Sequence, residues 1–513
     1  MPTPSATLLP EAAASTPAVL RKKQPWLRSL GLVVFLLFSI ALYAWLKQIT
    51  PTDPNSTASS MPFLQVELLC FLPYAAACAL LLIMRPVEVS WRKVELGLIL
   101  GGALLLRALL VDLPPNLSHD AWRYVWDARI FLRGYSPYAT VPSAGIFMPL
   151  RDFIYNYSRY RNVPSLYPPG AQYIYATSYL LAPSNLFFLK GMFVLFDLGS
   201  CVALVVLLAR KGLDPALVLL YAWCPLPIVE FALQGHIDAA AIPLTLLAAL
   251  SVSRKGWKSG VLTGFLIGMA TLVKLYPILL LLPALSLRDW KRDGLLVCTC
   301  LVTVGTGYLP FIILGHGQIL GFFSTYTDQQ GWNAGPIQNF IAFIGSQEHW
   351  PVSQKVVWEH GVALVLFAGA AALLLKLRAS GQLSFEAGAL VVFGLILAVS
   401  SHLFPWYLAA LLPWIVLLLP SRGSGAVRGL ALAARLLALG ALWIFLFTSI
   451  LGYFLDWASY YHFVYVPLVA ELLMAGVLAL VAARFGHRRK EQDLPPELKP
   501  RSFAASKEMQ DIA

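Results

Sequence analysis

The chain has 513 residues, of which 58% are hydrophobic and only 12% charged, with a formal net charge of +12. Soluble globular chains carry about 25% charged residues, so composition excludes a water-soluble fold. The surplus of Lys and Arg does not make a nucleic-acid surface either. It sits in short clusters at the ends of apolar runs, not in a patch beside stacking aromatics.

Residues 1–29, rich in Ala, Pro, Thr and Ser, are expected to be a disordered cytoplasmic N-terminus. Arg21-Lys22-Lys23 and Arg28 precede the first apolar run, 30–46, and no small-x-small cleavage site follows, so this run reads as a signal anchor. Runs at 63–84 and 94–111 complete an N-terminal unit of three spans, 30–111. Arg85, Arg92 and Lys93 lie between the second and third span and are placed inside by the positive-inside rule. The loop 112–186 is then outside. Within it Ala171–Ala182 is apolar but far short of the roughly 20 residues a crossing needs, and it is expected to lie as an interfacial helix.

The central spans, 187–314, comprise runs at 187–209, 214–233, 237–252 and 294–314, with the stretch 259–287 between them. Basic clusters flank that stretch on both sides, so one straight helix would put one cluster on the wrong face. Two short helices meeting near Lys274 satisfy the charges and leave Lys274-Leu275-Tyr276-Pro277 in a depression below the outer surface. A lysine there is costly unless it faces water or an anion. A second outer loop, 315–355, leads to C-terminal spans within 356–483, at 356–375, 385–401, 403–420, 436–454 and 464–483, and to a cytoplasmic tail, 484–513. The sum is an all-α integral membrane protein of about 14 spans, both termini inside, with a large first outer loop that contains interfacial helices.

Polar residues suited to chemistry collect on the outer side. The densest group is Ser118-His119-Asp120-Ala121-Trp122-Arg123-Tyr124-Val125-Trp126-Asp127-Ala128-Arg129. As a helix it places Asp120, Arg123, Tyr124 and Asp127 on one face, with Trp122 and Trp126 on a neighbouring face suited to the headgroup level. A carboxylate beside arginines could serve as a general base while the arginines hold a phosphate. The same spacing serves equally for capping by Ser118 or Asp120 and for Arg123–Asp127 pairing one turn apart. Gln234-Gly235-His236-Ile237-Asp238 falls where two spans meet outside and reads as a polar turn or as part of a site. His402 occupies another outer junction, either as an interfacial hydrogen-bonder or as a functional group. Asn55-Ser56-Thr57 is a sequon that matters only in a eukaryotic secretory setting. The six cysteines lie in apolar runs without metal-ligand spacing, and no phosphate-loop, dinucleotide or zinc-protease motif occurs.

Five pieces then stand in order: HDAWRYVWDARIFLRGYSPY at 119–138, YPPGAQY at 167–173, Pro225…Glu230…Gly235-His236-x-Asp238, Lys274-Leu275-Tyr276-Pro277, and His402…Pro405-Trp406-Tyr407 with Leu411-Leu412-Pro413. Together they resemble the polyprenyl-phosphate-dependent membrane glycosyltransferases of the C-type fold (GT-C), most of all glycosyltransferase family 87, the mannosyltransferase-like group. The resemblance implies transfer of a hexose, mannose by family analogy, from a polyprenyl-phosphate donor to a lipid or glycan acceptor at the outer face of a bacterial inner membrane. It implies Asp120 as the general base, with Asp127 as the alternative. Lys274, His402, Arg123, Arg129 and Tyr276 would hold the donor phosphate. His119, His236, Asp238, Gln234, Tyr167 and Asn333 would shape the sugar and acceptor pocket. No cofactor or metal is implied, because a lipid monophosphate leaving group can be stabilised by cationic side chains. The extra spans at the start depart from the family pattern and suggest an accessory role for residues 1–90. The competing function, a transporter or flippase for a lipid-linked sugar or amphiphilic anion, calls for midplane polar residues and inverted halves, and the sequence displays neither.

Overall fold

A computed structural model describes residues 26–51, 53, 60–84, 89–321, 336–400 and 404–419. The expected spans 436–454 and 464–483, His402, Asn333 and the sequon lie outside the described residues. The longer helices are α1 (Trp26–Ile49), α2 (Ser60–Ile83), α3 (Val89–Ala108), α4 (Asp120–Phe131), α5 (Phe153–Tyr157), α6 (Pro169–Leu181), α7 (Leu186–Arg210), α8 (Asp238–Val252), α9 (Trp257–Val273), α10 (Trp290–Leu314), α11 (Pro336–Gln347), α12 (Val352–Ala379) and α13 (Phe385–Val399). Among the described residues five helices are long and apolar enough to cross a membrane, or six when a bent pair counts as one span. Helices α8, α9 and α13 are apolar but shorter.

The bent pair runs Pro215–Ala222 and Pro225–Leu233, with a 56° turn between its halves. Pro225 and Pro227 supply no amide hydrogen, so the turn leaves carbonyls without helical partners. In hydrocarbon such groups must be satisfied by protein. Arg107 of α3 donates to the Ala222 carbonyl at 2.7 Å, and the Tyr74 hydroxyl of α2 donates to Leu220 at 2.7 Å. Arg107 also pairs with Asp197 of α7 at 2.5 Å, and Tyr221 donates to the other oxygen of that carboxylate at 2.6 Å. Both charges are fully buried, which a membrane interior tolerates when they are paired. Trp223 donates to Ile99 at 2.8 Å, and Arg28 of α1 bridges Glu95 and Asp214. The first three helices are therefore knitted into the central fold.

Helices α9 and α10 approach so closely that a Cβ on Gly260 or Gly264 would collide with the carbonyl oxygen of Arg292 or Leu296. Small residues four apart permit this backbone-to-backbone packing. The break at Lys274 occurs as the charge pattern predicts: α9 ends at Val273, Lys274 is extended, and a 3₁₀ turn, Tyr276–Leu280, follows. The arms are unequal, a 17-residue helix and then a short irregular piece.

In the outer loop the 13-residue α6 covers the segment expected to be interfacial. Trp122 and Trp126 do not face headgroups. Trp126 is fully buried and Trp122 nearly so, packed on Tyr157, Phe153, Tyr155 and Phe147. They form the small core that lets this loop fold as a cap.

Candidate functional site

The start of α4 is set from below. The Gln234 side-chain oxygen accepts the amide hydrogens of Asn116, Leu117 and Ser118 at 3.2, 3.0 and 3.3 Å, while its nitrogen donates to Asn116 at 2.7 Å. Gln234 is fully buried, and it positions the approach to α4. Gly235 follows with φ +74, and a Cβ there would press on Lys190 and on Ala121 of α4. Lys190 in turn donates to the Leu113 carbonyl. These contacts deliver His119 as a buried N-cap and Asp120 as the first residue of the helix, half-buried.

Asp120 is not isolated. The Tyr167 hydroxyl donates to its carboxylate at 2.9 Å, and the Tyr124 hydroxyl donates to Tyr167 at 3.0 Å. Burial pushes the Tyr167 phenol well above its ordinary range, and the Asp120 charge pushes the same way, so Tyr167 remains a donor at any working pH. On the other side of the Tyr167 ring lies Lys274, its ammonium 5.3 Å from the ring centroid and 4.8 Å from that of Tyr407. Lys274 also pairs with Asp238 at 3.1 Å. Asp238 is buried, and its second oxygen has no hydrogen-bond partner among the described residues.

Proximity between the two segments depends on Gly170. Pro168 and Pro169 open α6, and a Cβ at Gly170 would stand 2.8 Å from the Leu272 carbonyl oxygen. That close approach sets Tyr167 beside the residues that follow α9. Between them opens a cavity of about 160 Å³ lined by Lys274, by the rings of Tyr167, Tyr276, Tyr407 and Phe393, and by aliphatic side chains that include Leu275, Ile396 and Leu397. One cation among aromatic rings and aliphatic side chains suits an amphiphilic anion.

Not every residue expected at the site reaches it. Asp127 is fully buried and accepts from Arg123 at 2.7 Å. Arg123 spends its remaining hydrogen bonds on the carbonyls of Tyr160 and Val163. Arg129 clasps Asp152 with two nitrogens and also donates to Leu150 and Ser184. Those arginines act as staples of the cap, holding its carbonyls and carboxylates together. His236 is likewise fully buried, stacked on Trp406 at 3.7 Å and paired with Glu230 at 2.9 Å. Tyr276 reaches the cavity, and its buried hydroxyl has no hydrogen-bond partner among the described residues. Sequence reading missed Tyr407 as a partner of Lys274; its only signal was the Pro405-Trp406-Tyr407 group at an outer junction.

Two matches to known proteins bear on this arrangement. The model of glycosyltransferase family 87 matches residues 166–401, which takes in Tyr167, Asp238 and Lys274 but begins after Asp120. GPI mannosyltransferase 1 of Eremothecium gossypii is 27% identical over 226 residues, 43% of this chain and 46% of that protein. The match thus spans less than half the length of the relative. Part of the chain is thus similar to family 87 glycosyltransferases and to a mannosyltransferase, and several of the described helices are long and apolar enough to cross a membrane.

Proposed function

We propose that the chain transfers a hexose, mannose by analogy, from a polyprenyl-phosphate donor to a hydroxyl of a lipid or glycan acceptor, in a GT-C-type site on the non-cytoplasmic side of a bacterial inner membrane. The observation that carries the reading is that one ring, Tyr167, meets both Asp120, through its hydroxyl, and Lys274, over its face, at a cavity lined by aromatic and aliphatic side chains. The prenyl chain lies along Leu275, Phe393, Ile396 and Leu397, and the phosphate sits at Lys274. His402, two residues beyond the cavity-lining Ser400 in sequence, is assigned as a second phosphate contact. Distribution of the basic clusters supports the outward placement and the cytoplasmic termini.

In the reaction the acceptor oxygen attacks the anomeric carbon as the bond from that carbon to the phosphate oxygen breaks. Asp120 takes the acceptor proton, and Tyr167 holds the carboxylate in place through its hydroxyl. The lipid monophosphate leaves with its charge against Lys274, which exchanges Asp238 for the phosphate. No step is assigned to a metal.

The test uses purified protein in nanodiscs with radiolabelled polyprenyl-phosphate mannose and a glycoside acceptor. Asp120→Asn should lower transfer by about 10²–10⁴-fold, the contribution typical of a positioned general base, with unchanged thermal unfolding. Full activity in that variant rejects the base assignment. A wild-type protein that moves the intact donor between leaflets without cleaving it rejects the enzyme reading in favour of transport.

A further inference from the structure

The buried Arg123–Asp127 pair takes no part in the reaction above, yet it holds a strained residue. Tyr160 has φ +55, a left-handed conformation that is an outlier for a bulky side chain. Its carbonyl accepts from Arg123 at 2.8 Å, the Val163 carbonyl accepts from the same guanidinium at 3.1 Å, and Arg123 is anchored on Asp127 at 2.7 Å. Arg123 lies one turn after Asp120 on α4, so the two side chains are neighbours on one face. At its other end the same segment, 160–167, places the Tyr167 hydroxyl on Asp120. Residues 160–167 therefore form a strap clamped on either side of the proposed base.

The two tyrosines at its ends differ in surroundings. Tyr167 is half-buried beside Lys274, whereas Tyr160 is 69% exposed. The surrounding protein and, after it, the Asp120 carboxylate raise the Tyr160 phenol above its ordinary range, against a smaller opposing pull from Arg159. The Arg123–Asp127 pair staples the cap, and at Tyr160 it does so on a strained backbone that carries a largely unpacked ring. Strain of this kind persists where the surrounding structure enforces it and clusters at binding sites. Exposed aromatic rings held rigid are efficient contact surfaces, since they lose little freedom on binding.

We propose that Tyr160 is the acceptor platform of the site: a pyranose ring stacks its C–H face on Tyr160 and so directs one hydroxyl at Asp120. This assignment rests on the glycosyl-transfer reading and refines its acceptor to a cyclic sugar, whether free or lipid-borne. Tyr160 is a binding residue here, and Arg123 and Asp127 are positioning residues that act through it.

The experiment measures transfer from polyprenyl-phosphate mannose to methyl α-mannoside and to octyl α-mannoside, together with donor hydrolysis by water, in full-length protein in nanodiscs. Tyr160→Gly removes the ring while keeping a residue that adopts φ +55 without strain, so its thermal unfolding should not fall below wild type. Its acceptor KM should rise at least 10-fold, with donor KM and hydrolysis unchanged, and Tyr160→Phe should behave as wild type because the ring face is what binds. Use of the octyl glycoside alone assigns the acceptor to a lipid-borne sugar, and use of both to a sugar recognised without its lipid; either supports the platform. An unaltered acceptor KM in Tyr160→Gly overturns it, as does a Tyr160→Phe variant as impaired as Tyr160→Gly. So does a combined loss of unfolding temperature and hydrolysis, which marks a structural role. Hydrolysis of donor by wild type without transfer to either glycoside overturns the pyranose assignment but leaves donor cleavage intact. A wild type that turns over no donor instead rejects the underlying function.

Discussion

Substituting Gly170 by Ala tests whether the approach of α6 to α9 assembles the site. The added methyl would stand 2.8 Å from the Leu272 carbonyl oxygen and 2.9 Å from its carbon, whereas ordinary contact begins at 3.4 Å. Both atoms are backbone, so no side chain can swing aside. Reaching ordinary contact requires α6 to retreat by about 0.6 Å, the difference between those two distances. Overpacking of this kind costs typically 1–3 kcal/mol, partly offset by the roughly 1 kcal/mol that Ala gains over Gly within a helix. The retreat carries Tyr167 with it, away from Asp120 and Lys274. Since a displacement of about 1 Å at a reacting centre can cost 10²-fold in rate, a shift of this size should lower kcat by about 10-fold with net destabilisation under about 2 kcal/mol. The assay is kcat for mannose transfer in nanodiscs beside thermal unfolding. Gly101→Ala is the control: a Cβ there meets nothing within 4 Å, so it should keep full activity and gain slightly in stability. Wild-type kcat in Gly170→Ala would refute the claim that this contact sets the site.

Lys274→Gln should abolish transfer and destabilise the fold by about 3–5 kcal/mol, because it leaves the buried Asp238 carboxylate uncompensated. Adding Asp238→Asn should restore most of that stability without restoring activity; recovered transfer in the double variant would show that Lys274 serves only as a counter-ion. A pH effect is expected from the cap. Burial works against the Asp152 charge, but hydrogen bonds from Arg129 and from the amides of Ile154 and Tyr155 outweigh it, and the carboxyl sits below its usual range. A depressed value means the stabilisation is present above about pH 4, where the unfolded group titrates, and is lost as pH falls through the lower folded value. With the side chain 38% exposed, the effect should stay under about 1 kcal/mol. Unfolding curves of wild type and Asp152→Asn, compared between pH 6 and 3, should converge at the acid end, and parallel curves throughout would rule the linkage out.

Much of this fold was legible because membrane crossing leaves long apolar runs and charge at their ends. The break at Lys274 was legible for the same reason: basic residues on both flanks of 259–287 require the chain to turn back. Asp120 at the head of α4 was readable from the helical face it shares with Arg123 and Asp127. The roles of those two were not, because spacing reports which residues share a face and not which carbonyls compete for a guanidinium. Tyr160 and Val163, 37 and 40 residues away, claim Arg123, and nothing local announces them. The burial of Trp122 and Trp126 was hidden likewise, since their aromatic partners at Phe147, Phe153, Tyr155 and Tyr157 belong to a loop with no strong periodicity. Gln234 and His236 read as ligand contacts because they are polar where two apolar runs meet, and the structure buries both, Gln234 on the backbone ahead of α4 and His236 against Trp406 and Glu230.

The two helix breaks make the location of the chemistry intelligible. Non-helical backbone at membrane depth is tolerated where protein covers it or where it borders a cavity, and each break meets that condition in a different way. At the turn after Ala222, Arg107 and Tyr74 take the freed carbonyls, Asp197 neutralises the arginine, and Trp223 is locked to Ile99. That break is sealed and serves to bind α2, α3 and α7 together. At Lys274 the chain turns extended beside a cavity of about 160 Å³, with the lysine only partly shielded by Tyr167 and Tyr407. Its counter-ion, Asp238, keeps one oxygen unbonded among the described residues. A sealed break stabilises a fold, whereas a break whose ion pair borders a cavity lined by aromatic and aliphatic side chains leaves room for the amphiphilic phosphate of the proposed donor. The proposed reaction is placed at the second break for that reason, and the strap 160–167 ties Asp120 to that point through Tyr167.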